Sequence, residues 1–304
     1  MIVLFLLACN ADEPSADRLF PDTARTDAET DADTDADTDS DTDTDSDTDT
    51  DSDTDTDAMA YHEGDGPWTV LERDDTVAGQ EVTWFLPADA ESAPVVLWSH
   101  GFARSRTFHA EAARHAASWG LVVVTVDLPS PYGGHEENGV FLAEELLPEA
   151  LAQPEAGDAW AFVGHSAGGL ASVLAAAAVG ADALVGLDAV DASDLGADAA
   201  PSVQAPALML AGVPSSCNSN GNSRAWEFGA PSWLVEVTDA SHCDFENPTD
   251  GLCELVCGAA DPVRQELGGE YATAWLVHTL LGGADDWIGG AESEADRAAG
   301  HIAY

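Results

Sequence analysis

The sequence predicts an α/β fold over residues 58–304: a mostly parallel, eight-stranded sheet with helices on both faces. Three observations carry this. Runs such as "APVVLWS" (93–99) and "LVVVTVD" (121–127) are continuously apolar, as strands covered on both faces are. Helical patterns separate these runs, and strand–helix alternation implies parallel strands joined by right-handed crossovers. Beyond Asp57 the apolar content is ordinary, enough for one domain with a substantial core.

Taken in order, residues 68–73 and 81–87 alternate apolar and polar and are expected to be antiparallel strands at one edge. The remaining strands are expected at 93–99, 121–127, 159–165, 183–190, 206–212 and 232–237, and helices at 106–119, 138–152 and 167–179. A last helix at 262–281 has Pro262 in its first turn, where a missing N–H costs nothing. No long insertion separates the sixth and seventh strands, so little or no lid is expected over the site.

The first 57 residues read differently. "MIVLFLL" is too short to span a bilayer as a mature helix and reads as the apolar part of an export signal, residues 1–8. "LLAC" resembles the bacterial lipobox, which implies a lipid on Cys9 and an exported lipoprotein at the outer membrane or cell surface; an ordinary signal with an incidental cysteine is the alternative. From Asp31 to Asp57 every second residue is Asp. Such a row of like charges cannot offset its chain entropy, so residues 9–57 are expected to form an extended, disordered stalk. A calcium loop would need a turn glycine and a terminal glutamate, and the run has neither.

Nine Lys and Arg stand against 57 Asp and Glu, a formal net charge of −48. Phosphate backbones need basic patches, so nucleic acid is excluded as a partner and the acidic surface keeps a monomer soluble. Besides Cys9 there are Cys217, Cys243, Cys253 and Cys257; their even number and clustering, with the export signal, favour disulfides over a zinc site using His242. A bridge from Cys217 to Cys243 would tie the loop carrying His242 to its neighbour, leaving Cys253 and Cys257 to pair locally or stay reduced.

"GHSAGG" places Gly164, Ser166 and Gly168 between a strand and a helix, the context that G-x-S-x-G requires of a nucleophile at a sharp turn. A serine hydroxyl needs a base to take its proton. His242 lies after the last of the predicted strands and supplies it, whereas His165 reads as a packing and hydrogen-bonding residue, and His278 and His301 as surface residues. The base needs a carboxylate to hold its tautomer. "VGLDAVDASD" offers Asp188 at the strand end and Asp191 as the alternative, while Asp244 is too near His242 in sequence. An oxyanion hole needs two backbone N–H groups, expected from Ala167, after the serine, and Phe102, after the third strand in "SHGF".

"SHGF", "GHSAGG", "VGLDAVD" and "SHCDFE" together resemble the α/β-hydrolase superfamily across residues 61–281, with most similarity to its chlorophyllase-like and polyester-hydrolase (cutinase-like) branch. The resemblance implies a serine carboxylic ester hydrolase acting through an acyl-enzyme on a small or polymeric ester, without cofactor or metal. Chlorophyllases carry their acid in a "GLDPV" context, which favours Asp188; bacterial polyester hydrolases carry it one strand later. The rival readings are a binding or adhesion protein that has lost the chemistry, and an amide or thioester hydrolase. With the serine, acid and base all present in order, the sequence favours an enzyme.

Overall fold

The computed structural model describes residues 64–283 and 287–304. The expected signal at 1–8, lipidated Cys9 and stalk to residue 57 lie outside them. Ala93–Ser99 is buried at every position: Val95 and Leu97 enter one apolar core, Val96 and Trp98 another. A strand apolar on both sides is stable only inside a sheet covered on both faces.

The strands are β1 (Val70–Val77), β2 (Gln80–Pro87), β3 (Ala93–Ser99), β4 (Val122–Val126), β5 (Ala156–His165), β6 (Ala183–Leu187), β7 (Ala207–Ala211), β8 (Ser232–Val237) and β9 (Ile302–Ala303). They form one sheet in the order β1-β2-β4-β3-β5-β6-β7-β8-β9. β4, β3, β5, β6, β7 and β8 run parallel, and β1, β2 and β9 pair antiparallel at the two edges. All eight expected strands are present. The ninth was not expected because two residues are too few to show a period, and β9 exists only by pairing Ile302 and Ala303 with the end of β8.

The helices are α1 (Ala110–Ser118), α2 (His135–Val140), α3 (Leu147–Leu151), α4 (Ala167–Val179), α5 (Leu195–Ala199), α6 (Gly251–Cys257), α7 (Pro262–Leu281) and α8 (Ala291–Ala299). Ala113 and Ala116 of α1 and Tyr271 and Trp275 of α7 fill the core on one face of the sheet. Leu170 and Val173 of α4, with Leu142 and Leu146, fill the other. The single helix expected at 138–152 is instead α2, a π-helical turn Phe141–Leu146 and α3. Pro148 has no N–H to return to Glu144, and the wider turn, which contains Glu144, ends two residues before it. Between β6 and β7, residues 188–206 hold only α5 and the 3-10 turn Ala200–Ser202.

Candidate active site

The parallel strands β3, β5, β6 and β8 deliver the expected residues to their carboxyl ends, where open α/β sheets carry their chemistry. Ser166 links β5 directly to α4 with φ 55° and ψ −122°, a conformation that costs an L-residue about 1–3 kcal/mol and persists only where its surroundings impose it. The surroundings are tight. A Cβ on Gly164 would stand 2.3 Å from the Gly168 oxygen, and one on Gly168 would stand 2.5 Å from the His100 oxygen. The backbone of Ser166 is tied on both sides: its N–H donates to Leu187 O at 3.0 Å and its carbonyl accepts from Val190 N at 3.1 Å. The elbow is thereby fastened to the segment that carries Asp188.

Asp188 follows β6 at φ 41° and is 2 % exposed. Its N–H donates to Leu210 O at 2.7 Å, and its Oδ1 accepts from Gly212 N at 2.9 Å. Its Oδ2 lies 2.6 Å from Nδ1 of His242. A carboxylate can only accept here, so Nδ1 carries the proton and Nε2 is left as the basic nitrogen. His242 opens the 3-10 turn His242–Phe245 after β8 and is 6 % exposed. Asp191, by contrast, points elsewhere: its carboxylate accepts from Ala192 N, Gly196 N, Ala197 N and Trp226 Nε1 at 2.7–2.9 Å. Those four donors fill its lone pairs and shape the turn into α5. Asp244 is equally committed, to Ser241 N at 2.6 Å and Asp261 N at 2.5 Å, and burial raises its pKa.

His165 packs against His242. Its Nε2 donates to the His242 carbonyl at 3.1 Å, and the two rings lie 4.4 Å apart. Burial pushes its pKa well below the ordinary histidine value, so it is neutral at neutral pH. Ala167 is the first residue of α4, and Gly101 presses the loop after β3 against the elbow: a Cβ there would meet Ser166 Cβ at 3.0 Å. Phe102 follows at 56 % exposure, its ring edge-on to Tyr132 at 5.9 Å. Two exposed rings thus stand at the rim beside the serine.

Asn218 carries no motif and was not expected at the site. It is fully buried, and its Nδ2 reaches Asp188 Oδ1 at 3.2 Å and Oδ2 at 3.1 Å while also donating to Val213 O at 2.9 Å. The only hint in the sequence is its place beside Cys217, in the Ser/Asn-rich loop after β7.

The four cysteines pair as Cys217–Cys257 and Cys243–Cys253, correcting the pairing expected from sequence. The reason is α6, which holds Cys253 and Cys257 one turn apart. Residues four apart on a helix have Cβ atoms about 5–6 Å apart, and a disulfide needs about 3.5–4.5 Å. Each therefore bonds outward, Cys253 to the residue after His242 and Cys257 to the residue before Asn218. Cys243, Cys253 and Cys257 lie close enough together to suggest a metal, but all three sulfurs are engaged in disulfides.

No family model matches the chain. Among curated proteins it is similar to chlorophyllase-1, chloroplastic, of Citrus unshiu and of Citrus sinensis. Both are 32 % identical over 240 residues, covering 66 % of this chain and 73 % of theirs.

Proposed function

The chain belongs to the chlorophyllase-like α/β-hydrolases, an ester-hydrolysing group, and from that premise we propose that it is a serine carboxylic ester hydrolase working through an acyl-enzyme. The observation that carries this reading is the 2.6 Å contact between His242 Nδ1 and a buried Asp188 that is itself tied through Leu187 to the Ser166 elbow. A carboxylate so placed fixes one tautomer, with Nε2 free to take a proton, and stabilises the imidazolium that results.

In the reaction, Ser166 Oγ attacks the ester carbonyl carbon while its proton passes to His242 Nε2. The carbonyl oxygen becomes an oxyanion, held by the N–H groups of Ala167 and Phe102, with the N-terminus of α4 adding its partial positive charge. Collapse of the tetrahedral intermediate breaks the bond to the alcohol oxygen, which leaves with the proton from His242. Water, deprotonated by the same nitrogen, then cleaves the acyl-serine to carboxylic acid and free Ser166. The exposed rings of Phe102 and Tyr132 offer an apolar wall to a bulky ester, and only short elements connect β6 to β7 nearby.

The test is fluorophosphonate labelling of the full chain and of Ser166→Ala, followed by hydrolysis of p-nitrophenyl esters of rising acyl length. Labelling is expected at Ser166 alone, and the Ala variant should lose about four to six orders of magnitude in kcat with its fold intact. More than a tenth of the activity remaining in Ser166→Ala would sink the assignment. An unlabelled wild-type protein would point to a binding protein on the same scaffold.

A further inference from the structure

We propose that Arg104 and Glu246 are a positioning pair that locks the turn carrying Phe102 against the segment carrying His242; the proposal rests on the serine-hydrolase reading above. Residues 101–104 form a tight turn closed by Arg104 N donating to Gly101 O at 3.2 Å, with Phe102 and Ala103 at its centre. Ala103 has φ 57° at the third position, where such a turn ordinarily takes glycine. An L-residue held there makes the turn strained, and it stays put only if its ends are held.

Ala103 N donates to Pro131 O at 2.7 Å, which holds the middle of the turn. Arg104 holds its end. The guanidinium forms a two-pronged contact with Glu246, Nε to Oε1 at 2.6 Å and Nη2 to Oε2 at 2.7 Å, reaches Asp250 Oδ1 from Nη1 at 3.1 Å, and lies over the Phe108 ring at 3.5 Å. The Arg104 side chain is 9 % exposed and that of Glu246 is fully buried.

Glu246 is fixed from its own side. Its N–H donates to Cys243 O at 3.2 Å, and its Oε2 accepts from Thr249 Oγ1 at 2.8 Å. It directly follows the 3-10 turn that begins with His242. Asp250, the second anion, caps α6, and α6 is bonded by Cys253 to Cys243. One guanidinium therefore joins the oxyanion turn to both supports of the base.

A buried ion pair adds little to stability, because desolvation offsets the attraction, and apolar replacements of similar volume are often as stable. What such a pair supplies is geometry: the planar fork accepts one orientation of one carboxylate. The Arg104 fork sets where Phe102 N–H points relative to Ser166, so the pair acts on the transition state and hardly on substrate binding.

The decisive variant is Arg104→Met/Glu246→Leu in the full chain, which removes both charges and keeps the volume. Tm should hold and KM should stay within twofold, while kcat falls about 10- to 100-fold, the cost of a misplaced oxyanion donor. Arg104→Lys keeps charge without the fork and should also lose about tenfold in kcat, which covers the case of a double variant that does not fold. A kcat within threefold of wild type in either folded variant, with Ser166 still required, overturns the proposal alone. A wild-type protein with no Ser166-dependent hydrolysis overturns the underlying reading, and the proposal with it.

Discussion

Asp188 and Asp191 lie three residues apart, and what meets their oxygens separates their roles. Asp188 offers Oδ2 to His242 while Gly212 and Asn218 hold the rest of the carboxylate, whereas Asp191 spends both oxygens on three backbone N–H groups and Trp226. Asp188→Asn should therefore leave the fold intact and lower kcat by about 10⁴-fold, because an amide presents the wrong partner to Nδ1. Asp191→Asn should keep kcat within a few-fold and instead lose about 1–3 kcal/mol of stability, since one amide oxygen cannot serve four donors. Steady-state kinetics and thermal melts on both variants check this, and a dead Asp191→Asn with normal Tm would reverse the assignment. As candidates, Ser166, His242 and Asp188 were legible because each follows a parallel strand and two sit in recognisable motifs. Asn218 was not, because its role depends on how residues 213–221 fold back: its Oδ1 accepts from Ser215 N at 2.7 Å and Gly221 N at 3.1 Å, and only then does its amide face Asp188.

At the scale of elements, continuous apolar strands and long helices could be read to within a few residues; β3, α4, α7 and β8 coincide with their expected bounds. What escaped was short or inverted. α6 has seven residues and turns Leu252, Leu255 and Val256 outward at 62 %, 83 % and 66 % exposure, so no buried apolar stripe announces it. Disulfides, not a core face, hold it in place. Because α6 was missed, so was the pairing, and the correct bridges change the prediction. Cys217–Cys257 closes 40 residues and should stabilise by about 4 kcal/mol in the chain-entropy picture. It also fixes the residue next to Asn218. Cys217→Ser/Cys257→Ser should thus melt roughly 8–16 °C lower, and at temperatures where it remains folded it should turn over more slowly as Asn218 lets go of Asp188. Thermal melts paired with kcat at low temperature measure the two effects separately. A variant with lowered Tm and wild-type kcat would show that the bridge serves stability alone.

The molecule as a whole combines a net charge of −48 with a line of buried, uncharged imidazoles beneath its site. His100, His109 and His165 all have pKa values lowered by burial, His109 to about 3. His109 lies 5.6 Å from the His165 ring and 6.2 Å from Trp98, and neither of its nitrogens has a hydrogen-bond partner among the described residues. The charges acting on it, from Arg104 and from His100 when protonated, are both positive and oppose its protonation further. In the unfolded chain these histidines take protons near pH 6.5, whereas in the folded chain they do not. Below that pH the unfolded state binds more protons, so stability falls as pH falls, by up to about 1.4 kcal/mol per pH unit for each imidazole. For His109 the loss ends near pH 3, where the folded form also protonates. Above pH 6.5 the three contribute no slope. Protonation of carboxylates relieves self-repulsion and works in the opposite direction, but it begins nearer pH 4 and is screened by salt. Tm measured in 0.5 M NaCl should therefore decline from pH 6.5 to 5.5. His109→Leu should reduce that decline without lowering Tm at pH 7.5, because the leucine replaces a ring whose nitrogens are unpaired. A wild-type Tm that is flat or rising over this interval, or a His109→Leu slope equal to that of wild type, would refute the origin assigned here to the acid sensitivity.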